Sequence, residues 1–431
     1  MAAIKSRGIH ICYFSDENEI VKVHAGGEED IDDVVKAARA ALKGPWSHLS
    51  GTERGEMMRK LADLVDAATN ELATIDTWNN GKRFSSAQGD VGELTGVLRY
   101  YAGFANKQYG QVISTTEKKF AYTTVGPIGV CGQIIPWNYP LGMAGWKISP
   151  ALAAGNCVVI KPAEQTPLSI LFFADIIKKA GFPPGVINIV NATGREVARL
   201  AASNLKEITI ESGGKSPLLV FEDADLDQAV KWSHYGIMAK ARSVYPQFIE
   251  LFKERVKSCK IGNPFDNDTF QGPQVSKAQY ERVLSFIESG KAEGATVALG
   301  GQRTTVNGKG FYIEPTIFID ASDDMQIYRE EIFGPVAVIS PFQTEDDAMR
   351  RANDTIYGLG AAIFTQDITR AHIIANKIEA GMVWINSSND SDFRIPFGGV
   401  KQSGIGRELG EEGIRAYTSR RSVHVNVGNV L

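Results

Sequence analysis

The sequence is poor in the side chains that build metal centres and disulfide frameworks. Its 431 residues include six scattered histidines and four cysteines, Cys12, Cys131, Cys157 and Cys259. No two cysteines form a CxxC pair, and their wide separation argues against both a disulfide scaffold and a zinc site. We therefore expect reduced thiols, a cytosol-like compartment and no bound metal.

Long apolar runs and an excess of either charge are also absent. No apolar stretch approaches the length of a membrane span, and the opening residues MAAIKSRGIHICYFSDENE contain no apolar signal-peptide core. A net charge of −4 argues against nucleic acid or an anionic membrane as a partner, because such surfaces require clustered Lys and Arg. The composition, 43% apolar and 22% charged, is typical of a globular protein. These features predict a cytoplasmic location, with a mitochondrial one left open.

Three stretches have helical periodicity. The segment EEDIDDVVKAARAAL has an acidic first turn that suits the helix dipole. The segment TERGEMMRKLADLVDAATNELATI predicts one helix with Thr52 as its cap. In KPAEQTPLSILFFADIIKKAGFPPG, Thr166 is the predicted cap, Pro167 the first helical residue and Gly181 the stop. We expect the first two helices to open the ordered part of the chain and to face the core.

Short apolar runs between the helices are typical of strands. GVCGQIIP and NCVVIKP are bounded by Gly, Pro and Asn, which predicts strands buried on both faces. VINIV follows, and YIEPTIFI, PVAVISPF, AAIFT and MVWIN are later strands separated by helices such as ITRAHIIANKI. Strands alternating with helices indicate βαβ units and a parallel, doubly wound sheet. The predicted fold class is therefore α/β.

Polar side chains follow three of the predicted strands. Trp137 and Asn138 come after the first strand, Lys161 and Glu164 after the second, and Glu211 after a third. Ligands collect at the carboxyl ends of strands in open α/β sheets. The alternative is that these loops are only solvated surface, as most polar loops are. Three such loops, each stiffened by Pro or Gly, favour a ligand site.

Each of these side chains has a chemical use. The amide of Asn138 can donate a hydrogen bond to a developing oxyanion. Lys161 and Glu164 can hold ribose hydroxyls through charge-assisted hydrogen bonds. The carboxylate of Glu211, beside two glycines, can act as a general base on water. Together these groups could serve an oxyanion, a ribose and a water molecule.

Several long motifs, in the same order, resemble the NAD(P)-dependent aldehyde dehydrogenase superfamily. The motifs are PWNYPLGMAGWKISPALAAGNCVVIKPAEQTPLS, GFPPGVINIVN, ESGGKSP, YREEIFGPV, YGLGAAIFT and PFGGVKQSGIGRELG. The resemblance runs from about Ser15 to the C-terminus and is closest to the broad-specificity eukaryotic type. It implies a Rossmann-like cofactor domain (1–108 and 128–213), an α/β catalytic domain (214–402) and small β oligomerisation elements (109–127 and 403–431).

The resemblance also implies an activity and a set of site residues. Members of the family oxidise aldehydes to carboxylic acids with NAD(P)+ through a cysteine thioester, and are usually homodimers or homotetramers. By motif, the catalytic positions are Glu211 (general base), Asn138 (oxyanion amide) and Glu408 (proton relay). The matching cofactor contacts are Ile134, Pro136, Trp137, Lys161, Glu164, Glu331 and Phe333. We expect NAD rather than NADP, because the carboxylate of Glu164 would repel a 2′-phosphate.

One stretch departs from the family pattern at the position of the nucleophile. YGIMAKARSVYPQFIELFKERV, residues 235–256, passes from one helical run to the next, without the expected cysteine loop and without a strand. Ser243 is the nearest hydroxyl, but no histidine lies near it in the sequence to activate it. Cys259 is more simply interpreted as a small buried apolar residue, and Cys131 and Cys157 as inert core thiols. We therefore expect the nucleophile to be absent.

Two further departures are block losses of the same kind. Between NIVN and ITIE the chain is too short for the helix and strand of the family, so that the cofactor sheet would lack one strand near residue 192. MAAIKSRGIHICYF replaces the first hairpin of the family. We expect an inactive or impaired dehydrogenase. The alternatives are a catalytically silent subunit that assembles with a full-length relative, and an unstable deletion isoform.

Overall fold

The computed structural model describes residues 7–13, 16–191, 206–234, 239–241, 244–428 and 430. The fold is α/β, as the alternation of strand and helix predicts. The helices are α1 (Glu28–Ala41), α2 (Gly51–Ala67), α3 (Thr69–Asn80), α4 (Phe84–Ala102), α5 (Pro140–Ala154), α6 (Leu168–Ala180), α7 (Leu226–Ser233), α8 (Tyr245–Lys257), α9 (Lys277–Ala292), α10 (Gln326–Arg329), α11 (Glu345–Asn353), α12 (Ile368–Lys377) and α13 (Gly410–Arg415).

The strands fall into several sheets. In chain order they are β1 (Arg7–Tyr13), β2 (Asn18–Ala25), β3 (Val112–Thr116), β4 (Lys119–Pro127), β5 (Val130–Ile134), β6 (Cys157–Lys161), β7 (Ile187–Ile189), β8 (Ile210–Glu211), β9 (Leu218–Val220), β10 (Ala239–Ala241), β11 (Lys260–Ile261), β12 (Thr269–Gln271), β13 (Thr296–Leu299), β14 (Arg303–Val306), β15 (Lys309–Ile313), β16 (Thr316–Ile319), β17 (Val336–Ile339), β18 (Pro341–Phe342), β19 (Gly360–Phe364), β20 (Met382–Ile385), β21 (Gly404–Ile405) and β22 (Thr418–Asn426). YIEPTIFI and PVAVISPF therefore each divide between two strands rather than forming one. None of the helices in the described residues is long and apolar enough to cross a membrane.

The first elements correct two expectations. A hairpin, β1 paired antiparallel with β2, precedes the helices, so the chain does have a hairpin where its loss was expected. The long second helical run is two helices, α2 and α3, and its cap is Ser50 rather than Thr52. The Ser50 hydroxyl accepts from the backbone N–H of Glu53, whose carboxylate accepts from the backbone N–H of Ser50. This reciprocal pair satisfies two unpaired N–H groups at the start of α2.

A three-stranded parallel sheet, in the order β5-β6-β7, carries the first two strand-end loops. All five residues of β6 are buried, as expected for a central strand covered by helices. In β5 the side chains alternate between buried and exposed, and Ile134 is 40% exposed. The prediction of burial on both faces is therefore wrong for β5, because one face of this strand is open to solvent. Residues 192–205, where the sequence predicts a lost helix and strand, lie outside the described residues.

A second parallel sheet, in the order β18-β10-β9-β19-β20, forms the centre of the C-terminal half. The short strand β10 lies between α7 and α8 and pairs with both β9 and β18. The expectation that no strand remains between these helices is therefore wrong, although β10 has only three residues. Such a short strand still keeps β9 and β18 from presenting unpaired backbone to each other.

A third sheet is antiparallel, in the order β22-β4-β3. The C-terminal strand β22 pairs with β4 over its whole length, from Thr418 opposite Pro127 to Asn426 opposite Lys119. The hairpin and the tail are therefore neighbours, as the resemblance implies. The assignment of residues 1–108 and 128–213, 214–402, and 109–127 and 403–431 to three domains stays a prediction.

Candidate active site

The loop after β5 carries Trp137 and Asn138 and is held by its backbone. The carbonyl of Trp137 accepts hydrogen bonds from the Asn80 side-chain amide and from the Thr166 hydroxyl. The carbonyl of Asn138 accepts from Nζ of Lys82 at 2.8 Å. Both side chains of the loop are half-buried, and the indole of Trp137 lies edge-on to the ring of Phe333 with the centroids 5.0 Å apart. The loop thus meets one of the later predicted cofactor contacts.

The loop after β6 carries the pair Lys161 and Glu164. Nζ of Lys161, which is 8% exposed, donates to the Glu164 carboxylate at 2.6 Å, and that carboxylate is half-exposed. Thr166 bonds to the neighbouring loop, so it does not cap α6 as predicted. The N–H of Leu168 is satisfied instead by the side-chain oxygen of Asn79 at 2.9 Å. The two loops therefore lie side by side, as parallel strands require.

Glu211 ends β8, which pairs with β21 in a two-stranded antiparallel ladder. The expectation that Glu211 follows a strand of a parallel sheet is therefore wrong. Its carboxylate accepts from the N–H of Gly213 at 2.7 Å. Glu211 as a whole residue is exposed, but the surrounding protein removes water from its carboxylate, and this desolvation raises the pKa of Glu211. The negative charge of Glu408 raises this pKa further. A carboxyl with a raised pKa is better suited to take up a proton near neutral pH.

Glu331 approaches the same glycine turn from the other side. Its carboxylate accepts from the N–H of Gly214 at 3.2 Å, and burial raises its pKa. Gly213 has φ of +78°, and a Cβ at this position would lie 2.2 Å from Oε2 of Glu331. A side chain at this position would therefore strain the backbone and would have to displace the Glu331 carboxylate.

Glu408 is buried near Glu211 and forms an ion pair with Lys147 of α5. The Oε1 atom of Glu408 accepts from Nζ of Lys147, and its Oε2 atom has no hydrogen-bond partner among the described residues. The charge of Lys147 lowers the pKa of Glu211, whereas that of Glu408 raises it. The pair therefore lies close enough to Glu211 to influence its protonation.

Sequence reasoning missed three lysines of the site, although two of them, Lys147 and Lys215, lie inside the family motifs WKISP and ESGGKSP. Lys147 is one, and Lys82, beneath the Asn138 loop, is another. The third, Lys215, donates to the carbonyls of Ile327 and Glu330 at 2.8 and 2.9 Å, and burial lowers its pKa to about 8. Lys215 thus anchors the segment that leads to Glu331 and Phe333. A lone lysine in a sequence is most simply a solvated charge, and only the fold buries these three.

None of the cysteines whose side chains the structure describes is placed as an activated nucleophile. Cys131 and Cys157 are buried in β5 and β6, where burial raises the pKa of their thiols to about 12 and about 11. Cys259 is half-exposed, and Sγ lies 3.2 Å from Nε2 of His234. The interpretation of Cys259 as a buried apolar residue is therefore wrong. Ser243 lies outside the described residues.

The Cys259–His234 pair is electrostatically quiet. Burial raises the pKa of the thiol, and burial with the charge of Arg255 lowers the pKa of His234 to about 4. At neutral pH the pair is therefore a thiol beside an uncharged imidazole. A nucleophilic cysteine needs thiolate character, which a pair of this kind does not supply.

The remaining predicted contacts lie at the same end of the first sheet. Ile134 is the last residue of β5, and Pro136 is half-buried just before Trp137. The paired Lys161 and Glu164, together with the Glu331 carboxylate, offer donors and acceptors that fit the ribose hydroxyls of a dinucleotide. No cluster of three metal-ligating side chains is present in the part of the chain that the structure describes.

The chain is similar to known proteins along nearly its whole length. The Aldehyde dehydrogenase family matches residues 3–198 and 191–423. An aldehyde dehydrogenase-like protein of Schizosaccharomyces pombe is 50% identical, over 97% of this chain and 92% of the relative. Aldehyde dehydrogenase [NAD(P)+] 1 of Saccharomyces cerevisiae is 45% identical, over 95% of this chain and 90% of the relative. The NAD+ complex of aldehyde dehydrogenase from Bacillus cereus superimposes with a TM-score of 0.95 at 41% identity, over 98% and 94% of the two chains.

Two features of these matches bear on the block losses. The family match is broken into two segments that overlap at residues 191–198, where the sequence predicts a lost helix and strand. The alignment with the S. pombe relative runs over 457 positions, more than the 431 residues of this chain. Some positions of that relative therefore face no residue here.

Proposed function

Because this chain belongs to the aldehyde dehydrogenase family, we propose that it binds NAD and an aldehyde and oxidises the aldehyde slowly or not at all. One observation carries the second half of the proposal. The described thiol side chains are either buried in β5 and β6 or paired with the neutral His234, whereas Asn138 and Glu211 are retained. An oxidation that proceeds through a thioester cannot begin without a thiolate in reach of the carbonyl carbon.

The groups that remain can still bind and orient an aldehyde. The amide of Asn138 makes no hydrogen bond to another described residue and can donate to the aldehyde oxygen, where negative charge develops. Glu211, with its raised pKa, can hold or release a proton on a water molecule beside the carbonyl carbon. The nicotinamide of NAD, when bound, supplies a hydride acceptor.

The cofactor side of the proposal rests on the Lys161–Glu164 pair. Glu164 is half-exposed, so its carboxylate can accept from a ribose hydroxyl, whereas a 2′-phosphate would meet a negative charge. This supports NAD over NADP. The S. cerevisiae relative is named for both cofactors, as NAD(P)+, so the preference of this chain is a question for measurement.

Turnover is tested by incubating the folded protein with NAD+ and a short aldehyde while NADH absorbance is recorded. We expect a rate equal to that of buffer or only slightly above it. If a rate in the usual range of enzymes, about 1 s⁻¹ or more, is found, the proposal of a lost nucleophile is wrong. Glu211→Gln should then abolish the activity, and the exposed Glu207→Gln should not.

Cofactor binding is tested by calorimetric titration with NAD+ and NADP+. Lys161→Met should weaken NAD+ binding about tenfold, the loss expected for one charge-assisted hydrogen bond. Lys178→Met is the matched control, because Lys178 also pairs with a carboxylate three residues away but lies exposed on α6. Folded protein that binds neither cofactor, or a Lys178 variant as weak as the Lys161 variant, would contradict the assignment.

A second candidate function is that of a silent subunit in a mixed oligomer. The antiparallel sheet presents apolar side chains to solvent, among them Val112 (74% exposed), Ile113 (45%) and Phe120 (45%). Exposed apolar surface of this kind marks protein interfaces, and β3 is an edge strand with open backbone groups. Size-exclusion chromatography with light scattering, alone and after co-expression with an intact homologue, tests it. Monomer in both experiments would remove this candidate.

A further inference from the structure

Residues 79–82, which are the last two residues of α3 and the start of the turn to α4, form a segment that contacts both strand-end loops of the candidate site. Its residues Asn79, Asn80 and Lys82 follow one another closely, and the two asparagines are buried, at 1% and 8% exposure. Buried asparagines and lysines are stabilised only where hydrogen bonds replace the lost water. The partners that satisfy these three side chains therefore indicate what the segment does.

Asn79 holds the loop after β6. Its Nδ2 atom donates to the carbonyl of Gln165 at 2.8 Å, and its Oδ1 atom accepts from the N–H of Leu168 at 2.9 Å. Both bonds are to backbone groups between Glu164 and the first turn of α6. Asn79 thus fixes the loop that carries the predicted ribose contacts, and it does so at the end of the loop that leads into α6.

Asn80 and Lys82 hold the loop after β5. The amide of Asn80 donates to the carbonyl of Trp137, and Nζ of Lys82 donates to the carbonyl of Asn138 at 2.8 Å. The Lys82 ammonium also lies over the ring of Tyr139, 4.5 Å from its centroid. Three consecutive residues of this loop therefore contact the segment, and the side-chain amide of Asn138 makes no hydrogen bond to another described residue.

A buried charge cluster fixes Lys82 in turn. Its Nζ atom pairs with Asp90 of α4 and lies 3.6 Å from Asp76 of α3. Glu93 and the Tyr139 hydroxyl complete the titratable groups that act on this cluster. The two aspartates are almost fully buried, at 0% and 5% exposure. A lysine bound between two buried carboxylates has little freedom, so the position of the Asn138 carbonyl is defined by the packing of α3 against α4.

The segment is also packed against the C-terminal half. Gly81 has φ of +84°, and a Cβ at Gly272 would lie 2.0 Å from its carbonyl oxygen. A Cβ at Gly81 itself would lie 3.1 Å from Pro273. Glycine is therefore required at both positions for this approach.

We propose that Asn79, Asn80 and Lys82 form a positioning clamp that fixes the aldehyde loop, residues 136–139, and the ribose loop, residues 163–168, relative to each other. They are positioning residues, because their bonds are to the backbone of the loops rather than to a ligand. What each loop binds rests on the proposed function, whereas the clamp itself is a property of the protein without ligands.

Amide hydrogen exchange read by mass spectrometry tests the clamp through the selectivity of two variants. Asn79→Ala should speed exchange in 163–168, and above all at Leu168, by about tenfold or more, and should leave 136–139 unchanged. Lys82→Met combined with Asp90→Asn should speed exchange in 136–139 and leave exchange in 163–168 unchanged. The double variant is used because Lys82→Met alone would leave two carboxylates without their cation; the pair of changes keeps the net charge of the cluster at its wild-type value.

The matched control is Asn353→Ala. Asn353 makes the same kind of bonds as Asn79, donating to the carbonyl of Lys377 at 3.0 Å and accepting from the N–H of Glu379 at 2.8 Å, but in the second sheet's half. The Asn353→Ala variant should speed exchange in 377–379 and leave exchange in both site loops unchanged. Unchanged exchange in both loops of the clamp variants, or faster exchange spread evenly over α3 and α4, would overturn the clamp.

Calorimetric titration with NAD+ separates the clamp from the proposed function. Asn79→Ala should raise the dissociation constant severalfold, and Asn353→Ala should not. If the wild-type protein binds no NAD+, the proposed function fails, while the exchange measurement still decides the clamp. If Asn79→Ala loosens the ribose loop and NAD+ binding stays as tight as in the wild type, the clamp has no positioning role.

Discussion

Replacing Lys147 by methionine removes the only cation that pairs with Glu408 among the described residues. Both side chains are largely buried, at 14% and 9% exposure, and Oε2 of Glu408 already lacks a hydrogen-bond partner there. Methionine has a similar length, so the change removes charge with little loss of volume. The carboxylate must then remain charged in a buried site or take up a proton.

Proton uptake by this carboxylate determines how far the variant is destabilised. Protonating a glutamate with an ordinary pKa near 4.3 at pH 7 costs about 3–4 kcal/mol, which agrees with the usual cost of breaking a buried ion pair. The cost falls as the pH approaches that ordinary value, to about 1 kcal/mol at pH 5. A carboxyl that is harder to ionise in the folded state lowers the free energy of unfolding at pH values above its unfolded pKa. The stability of the variant should therefore approach that of the wild type as the pH falls.

Urea unfolding at pH 7 and pH 5, followed by circular dichroism, measures this difference. The double variant Lys147→Met with Glu408→Gln should return to within about 1 kcal/mol of the wild type at pH 7, because no charge is then left unpaired. Equal destabilisation at both pH values would refute the reasoning, as would a single variant within 1 kcal/mol of the wild type at pH 7.

Three further outcomes are expected. Gly213→Ala should displace the Glu331 carboxylate and weaken NAD+ binding about tenfold, whereas Gly92→Ala, where a Cβ meets nothing within 4 Å, should not. Ser50→Ala should cost about 1 kcal/mol through its lost capping box, and Thr52→Ala should cost less in the same unfolding assay; equal costs would contradict the assigned cap. Burial raises the pKa of Asp90 to about 6. A carboxyl resonance of Asp90 should therefore titrate near pH 6, and a midpoint below 4 would contradict the buried cluster. Since the folded pKa exceeds the unfolded one, Asp90 should contribute less to stability as the pH rises from 4 to 6, relative to Asp90→Asn.

Local patterns predicted the elements that satisfy local rules. The apolar run CVVI of β6 and the Gly181 stop of α6 follow from side-chain pattern and backbone freedom, and both were predicted correctly. Two caps were misplaced: Ser50 rather than Thr52 caps α2 through a local bond to Glu53, and at α6 the partner is distant. Thr166 fits the local rule for a cap, but its hydroxyl bonds to Trp137, and Asn79 from another helix satisfies the N–H of Leu168 instead. The residues around a helix start cannot identify its cap when the hydrogen-bond acceptor comes from elsewhere in the fold.

The stretch between α7 and α8 shows the same division between sequence and structure. Its composition gave no strand, because AKARSV has neither an apolar run nor alternation. The structure nevertheless forms β10 there, since β9 and β18 on either side offer open backbone groups that a short segment can satisfy. Sheet pairing is a long-range interaction, and it overrode the weak local preference.

By itself the sequence determined the α/β class and the polar residues that follow strands, because hydrophobic period and chain order are properties of the chain alone. Only the tertiary structure decided that Lys82, Lys147 and Lys215 lie partly buried at the site and that Cys259 faces His234. Burial and charge pairing depend on which helices and strands pack together, and residues far apart in the chain meet only when the fold is complete.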